Sequence, residues 1–406
     1  MTEQTLSEPQ AAESRKIDTA LIMMGLMAFS MGQTMIFAIA GPATRLMGLA
    51  ETDLGLIVSL AAVTYTIAVP IWGRVSDRIG RVAVIYVGLI AHAVATVAFA
   101  YVMHLGMTGV LLAPMSLMLL IGIRMSLTIG SGGVHPGATA FMADITESSK
   151  RAAGVAMVGA AFGLGAIVGP VLAGLLSSFG LLFPLYASAV VAGILGIVIA
   201  VKVPEPQRAR TENAGQMPML DPRIRSFFLL ALIAFTTVAI IQQTSAFYFM
   251  DRFDLSPEAT ARNVGISVGC MSLAMMAVQA GLIQVLKVSP KSMLIMGFAG
   301  TAAGLALVLW APSLVFTYAA YAVIGIGGGL INPGLLAGAS LRVGADHQGA
   351  VAGVVAAGMG AGYIVGPLLG TYLFSLNLFY PFAFAVVLSI ASVLAALFLR
   401  TQPNAS

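Results

Sequence analysis

Long apolar runs recur along this chain, near residues 17–42, 53–72, 82–103, 111–142, 152–176, 181–202, 226–250, 263–286, 292–311, 314–339, 350–375 and 378–399. A run of about 20 residues can cross a hydrocarbon core about 30 Å thick as a helix. In that medium each backbone amide must be satisfied within its own segment, so such runs have no alternative to the helix. An outer-membrane barrel would show alternating segments of about ten residues, and this sequence has none. The inventory of side chains agrees, with 59% hydrophobic and 9% charged residues, where a soluble domain carries about 25% charge. The expected fold is an all-α integral membrane protein of twelve transmembrane helices. The run at 111–142 is too long for one simple span, so its helix tilts or its first part is loop.

Two stretches are near copies of one another. Residues 130–137 read GSGGVHPG and residues 162–174 read FGLGAIVGPVLAG, while 327–334 read GGGLINPG and 359–371 read MGAGYIVGPLLGT. Gly130, Gly132, Pro136, Gly137, Gly163, Gly165, Ile167, Val168, Gly169 and Pro170 each recur 197 positions later (130 + 197 = 327), without a gap. A repeat at nearly half of 406 residues means two fused, related halves. The polar stretch 204–225 (PEPQRARTENAGQMPMLDPRIR) separates them as a linker. The expected organisation is a tail at 1–16, a six-helix bundle at 17–203, the linker, a second pseudo-symmetric six-helix bundle at 226–400, and a tail at 401–406. Parallel six-helix halves with a site between them describe a large class of secondary transporter.

Lys and Arg set the orientation. Sixteen fall in segments on the side of the termini, against Arg45, Arg252 and Arg262 on the other side. Both termini are therefore expected in the cytoplasm, with the chain multi-pass in the cytoplasmic (inner) membrane. The first 16 residues lack the basic-then-apolar order of a cleaved signal peptide. The net charge of +4 reflects this topological bias and does not suggest nucleic acid as a partner. Cys270 is the single cysteine and excludes an internal disulfide.

Three groups of residues carry mechanism. Between spans two and three lies GRVSDRIGR, residues 73–81, whose two glycines permit a tight turn. Asp77 sits among Arg74, Arg78 and Arg81 and can pair there, forming a latch at one membrane face or simply a solvated basic loop. In span four, Arg124, Thr128, Ser131 and His135 follow at steps of four, three and four, sharing one helix face. A charge inside a span must face protein or water, so the stripe lines an aqueous cavity or serves as interhelical glue. In span five, Gly165, Gly169 and Pro170 allow close helix contact and a bend, as do Gly366 and Pro367 in span eleven.

These segments resemble the major facilitator superfamily, most nearly its drug/proton antiporters of the tetracycline type. The resemblance rests on GRVSDRIGR, ADITESSKRAAG, GAAFGLGAIVGPVLAG, and HQGAVAG with GYIVGPLLG. It implies that Gly73, Asp77, Arg78, Gly80 and Arg81 belong to a gate between the halves. It implies that Arg124, Gly130, Gly132, Pro136 and Asp144 form the span-four pattern, with Asp144 at the cytoplasmic end. It also implies that the span-five glycine–proline pattern marks an exporter. Leu127 and Thr128 depart from the usual span-four residues.

Many such antiporters carry an acid in span one, but residues 28–34 (AFSMGQT) hold none, and no inferred span has an acid in its middle. A proton carrier must titrate, and histidine is suited near neutral pH. His135 is the leading candidate, with Arg124 beside it and Asp53 second. His92, in span three, is expected to face lipid or a packing contact. Further candidates for substrate contact are Ser30, Gln33 and Thr34 in span one, Gln242, Gln243 and Phe247 in span seven, Asn332 (the counterpart of His135) and Tyr363.

The expected function is secondary active export of small apolar or amphipathic molecules, such as a drug, siderophore or metabolite, by alternating access in exchange for protons. The partners are the small-molecule substrate, protons and the lipid bilayer, and the chain is expected to act as a monomer. An uptake permease or facilitator of the same fold, and a non-transporting receptor or scaffold, stay open as alternatives. No nucleophile–base pair, metal spacing or phosphate-binding loop suggests an enzyme, a metal or a cofactor.

Overall fold

The computed structural model describes residues 8–147, 150–206, 221–282, 288–343 and 348–399. The chain runs through α1 (Glu8–Leu46), α2 (Glu51–Ile79), α3 (Arg81–Met107), α4 (Ala113–Ser131), α5 (Val134–Ile145), α6 (Arg151–Leu176) and α7 (Phe183–Lys202). It continues with α8 (Arg225–Phe253), α9 (Pro257–Ala277), α10 (Pro290–Leu309), α11 (Leu314–Ser340), α12 (Gln348–Leu376) and α13 (Tyr380–Leu397). Twelve spans result, because α4 and α5 together make one. No strand occurs among the described residues. Most of the stretch read as a linker, residues 207–220, lies outside the described residues, as do 1–7 and 400–406.

The long run at 111–142 resolves into two helices, which neither a tilt nor an initial loop anticipates. α4 ends at Ser131, and Gly132 and Gly133 turn the chain (φ −60°, ψ −17° and φ −84°, ψ −14°) before α5 begins at Val134. A Cβ on Gly133 would lie 3.1 Å from the Trp72 ring. The two glycines therefore let α2 press into the joint, where Trp72 Nε1 donates to the Ile129 carbonyl at 2.5 Å. Elsewhere the helices begin with local chemistry. Ser256, Ser289 and Ser313 cap α9, α10 and α11 through their hydroxyls, and Pro257 and Pro290 take first helical positions where no amide is needed.

The two bundles repeat one packing scheme. In the first, α1 packs on α6 and α7, α3 on α4 and α7, and α2 on α4. In the second, α8 packs on α12 and α13, α10 on α11 and α13, and α9 on α11. The bundles meet through α2 with α12 and α6 with α9, again a symmetric pair, together with α1 against α8 and α9. With an even number of spans both ends of the chain share one face, called here the terminal face; the opposite face is the distal face.

Burial differs sharply between these faces. Near the distal face one apolar core draws on both bundles, with Met35, Ile39 and Leu54 from the first and Phe247, Tyr248, Tyr321 and Phe374 from the second. Toward the terminal face the cores are separate. One holds Ile22, Leu26, Ile85, Leu89 and Phe141 of the first bundle alone. The other holds Phe227, Leu230, Leu294, Phe298 and Val355 of the second alone.

Candidate functional site

Lipid tails are as apolar as leucine, so helices in a membrane associate through close packing of small residues. The repeated glycine–proline segment does this twice. A Cβ on Gly169 of α6 would lie 2.6 Å from the Met31 carbonyl oxygen of α1, and Gly165 faces the Met27 carbonyl and Ser30. In the second bundle a Cβ on Gly366 of α12 would lie 2.8 Å from the Thr236 carbonyl oxygen of α8. The prolines Pro170 and Pro367 then carry the contact across to the other bundle. A Cβ on Gly265 of α9 would lie 2.5 Å from the Pro170 carbonyl oxygen, and one on Gly55 of α2 would lie 2.8 Å from that of Pro367. Backbone thus meets backbone at two related points between the halves.

The distal face is closed by a charge cluster that sequence reasoning missed. Arg45, at the end of α1, reaches Asp251, at the end of α8, with both terminal nitrogens; Nη2 donates to Oδ2 at 2.8 Å. Arg45 also donates to Glu51 at the start of α2, at 2.9 Å. Its guanidinium lies 5.2 Å from the ring centre of Phe247 and 6.0 Å from that of Phe374. The available signal was opposite charge at the ends of spans one and seven, which are equivalent in the two halves. Phe247, read as a substrate contact, is fully buried within this seal. Asp53, read as a second proton carrier, accepts from the Ala50 amide at 2.9 Å in the capping box of α2, a role at the helix start.

At the terminal face the segment 73–81 is not a loop. Residues 73–79 are the last turns of α2, and Gly73 is helical with no neighbour that a Cβ would meet. Only Gly80 makes the turn, with φ 111°, in the left-handed region that glycine tolerates. Arg81 then gathers the cluster. It donates to Asp77 at 2.6 Å, to Asp144 at 3.1 Å and to Ser76 at 3.1 Å. Glu205, just past α7, accepts from the backbone amides of Arg81 and Val82. Arg78 is exposed beside them and has an interaction of its own. The ion pairs of Arg81 with Asp77 and Asp144 tie α2, α3 and α5 of the first bundle together, and the amide contacts of Glu205 fasten the segment just past α7 to the start of α3.

The polar stripe of span four is divided by the joint. Arg124, Thr128 and Ser131 lie buried on α4, whereas His135 belongs to α5. The Thr128 and Ser131 hydroxyls are taken up by their own helix, donating to Met125 at 2.8 Å and Leu127 at 2.6 Å. His135 is half-buried, with its ring edge-on to Phe162, 5.0 Å between centres. Arg124 Nε has no hydrogen-bond partner among the described residues. His92 does not face lipid. The other expectation, a packing contact, is what the structure shows: the ring is buried in the first bundle, edge-on to Phe29 at 5.2 Å between centres.

Of the remaining candidates, Ser30 is fully buried and donates to the Phe162 carbonyl at 2.7 Å, a tie between α1 and α6. Thr34 donates to the Ser30 carbonyl at 3.0 Å, and Gln33 is half-buried beside it. In the second bundle Gln242 Oε1 has no hydrogen-bond partner among the described residues, and the Tyr363 ring lies tilted against Phe235, 5.8 Å between centres. Gln243 is buried. Asn332 is half-buried on α11. Gln33, Thr34, Gln242 and Tyr363 are thus a partly accessible polar set on the helices that line the meeting of the two bundles.

Comparison with known proteins agrees with this architecture. The model of the Major Facilitator Superfamily matches residues 22–354 and 282–406. The chain is 26% identical over 396 residues to multidrug resistance protein 2 of Bacillus subtilis (strain 168), covering 92% of each chain. It is 28% identical over 342 residues to the class C tetracycline resistance protein of Escherichia coli, covering 79% of this chain and 80% of the relative. Among solved structures, a bacterial homologue of the human lysosomal transporter Spinster, inward-facing and occupied, superposes with a TM-score of 0.74 at 14% identity, over 98% of this chain and all of the other.

Proposed function

The chain belongs to the Major Facilitator Superfamily, and from that premise we propose that this membrane transporter exports small apolar or amphipathic molecules in exchange for protons. One observation carries the reading: the halves share a single core near the distal face and keep separate cores toward the terminal face. A polar set between them is then reached from one side only. Rocking the two units, residues 17–203 and 226–400, about their backbone contacts would close that side and open the other. Both walls of the path come from one chain, so a monomer suffices. The excess of Lys and Arg supports a cytoplasmic terminal face, and with it the reading of this arrangement as inward-open. The efflux proteins named above favour outward transport of drug-like cargo.

Gln33, Thr34, Gln242 and Tyr363 are the residues proposed to meet the cargo, within a wall that is otherwise mainly apolar. The described spans hold no acid between their ends, so proton exchange falls to a histidine of the first bundle, and His135 is the one nearest the open side. Asp77, Arg81 and Asp144 act within that bundle as a rigid cytoplasmic brace, against which the halves close. Everted vesicles carrying the protein test the reading with tetracycline as probe. Uptake into the vesicles accompanied by proton release supports export by exchange. Movement only down the tetracycline gradient, with no proton flux, would make the protein a facilitator.

A further inference from the structure

The joint in span four leaves its own backbone unsatisfied. Gly132 and Gly133 are buried, and among the described residues their amides donate to no backbone carbonyl. Buried amides without a partner are rare in folded chains and call for a reason. In an unbroken helix the Gly133 amide would donate to the Ile129 carbonyl, four residues back. That oxygen is taken instead by the indole N–H of Trp72, reaching across from α2. The indole also fills the space in front of the joint, since a Cβ would lie 3.3 Å from it on Gly132 and 3.1 Å from it on Gly133. Two donors thus compete for one acceptor, one from within the span and one from outside it.

Continuity is a short step away. Both glycines keep right-handed dihedrals, with ψ −17° and −14°. A regular helix has ψ about −42°, so a turn of about 25–30° at each would restore it. The second bundle displays that form of the same motif. Gly329 and Leu330 stand at the positions of Gly132 and Gly133 (132 + 197 = 329), inside the continuous helix α11. That helix also accommodates Pro333, the counterpart of Pro136. α9 packs on α11 as α2 packs on α4, and α9 has no tryptophan. The span is broken where an indole is wedged into it and continuous where none is.

We propose that span four is a two-form helix: broken and pinned by Trp72 in the present state, continuous when the terminal side closes and the distal side opens. This rests on the alternating-access reading above. In the second form the Ile129 carbonyl returns to the Gly133 amide and the indole withdraws. One hydrogen bond replaces another at the same oxygen, and a buried amide gains its partner. α2 is also the helix that bears on α12 of the other bundle, with Gly55 against the Pro367 carbonyl. Movement between the bundles therefore reaches Trp72 directly. α5 carries His135, so straightening turns that side chain relative to α4.

Thiol labelling from the distal side, at Gln243→Cys in a Cys270→Ala background of the full chain in liposomes, reads the distally open form without any cargo. Trp72→Phe keeps an aromatic ring and removes the indole N–H. It should raise that labelling about twofold to tenfold, the equivalent of one net hydrogen bond. A tryptophan that only packs helices together would lower the unfolding temperature and leave labelling at the wild-type rate, and that result overturns the proposal. Fluorine NMR of 5-fluorotryptophan reads the converse in a Trp310→Phe background, where Trp72 is the single reporter. Arg45→Ala, which frees the distal face, should add a second Trp72 signal whose share grows with distal labelling. A single, unmoved signal also overturns the proposal, and this measurement decides alone if Trp72→Phe does not fold. If the wild-type protein moves no tetracycline, the export reading fails, and both measurements, which use no cargo, still decide whether the joint switches.

Discussion

Arg45 and Asp251 form a two-pronged ion pair that joins the ends of α1 and α8, and with them the two bundles, across the distal face. The pair is partly exposed, so its Coulombic contribution is about 0.2–1 kcal/mol. The stacking of the guanidinium over Phe247 adds about 0.5–1 kcal/mol. Losing both should shift the balance between states by about threefold to thirtyfold, since 1.4 kcal/mol is a factor of ten. Arg45→Ala is therefore expected to speed distal-side thiol labelling of a cysteine placed at Gln243, in a background carrying Cys270→Ala. Unchanged labelling would show that the apolar core alone holds this face shut.

The glycines at the bundle contacts should be far less tolerant than the glycine in the helical tail of α2. Gly265→Ala and Gly55→Ala each force a methyl group against a proline carbonyl of the opposite bundle. Overpacking of this kind costs about 1–3 kcal/mol. Gly73→Ala meets nothing and should be silent in expression, thermal unfolding and transport. A tolerant Gly265→Ala with wild-type transport would rule out the close backbone contact.

The cluster around Arg81 should show a graded response. Asp144 is largely buried with Arg81, at 8% and 11% side-chain exposure, whereas Asp77 is 63% exposed. Asp144→Asn should lower stability by about 1.5–3 kcal/mol, the value of a hydrogen bond to a charged group. Asp77→Asn should cost below about 1 kcal/mol. Thermal unfolding in detergent ranks the two variants, and the reverse order would mean that Asp77 has the buried partner.

Ser30 and Gln242 separate helix packing from cargo contact. The Ser30 hydroxyl is committed to the Phe162 carbonyl, and such a bond in a membrane bundle averages about 0.6 kcal/mol. Ser30→Ala should soften thermal unfolding slightly and leave the apparent KM for tetracycline in place. Gln242→Ala removes an oxygen that has no protein partner and should raise that KM with little change in stability. The opposite split would exchange the two assignments.

Span number and the internal repeat were legible because they follow from average hydropathy and from residue identity at a fixed offset. The joint at Gly132 and Gly133 was not, since a glycine pair reads equally as close packing within an unbroken helix. The stripe Arg124, Thr128, Ser131 and His135 follows helical spacing across a joint whose two glycines keep right-handed helical dihedrals. Asp53 and Phe247 looked functional as isolated residues, but a capping bond and burial beneath Arg45 occupy them. The link between Arg45 and Asp251 was hidden by their separation in sequence.

The two contacts of Gly265 with Pro170 and Gly55 with Pro367 carry a mechanical consequence. Two bearing points determine a line, and a rigid body held at both keeps a single rotational freedom about it. A bundle mounted this way cannot part from its twin at one end without approaching it at the other. Strict alternation between the two openings would then be a property of the axle, requiring no signal to pass from one face to the other.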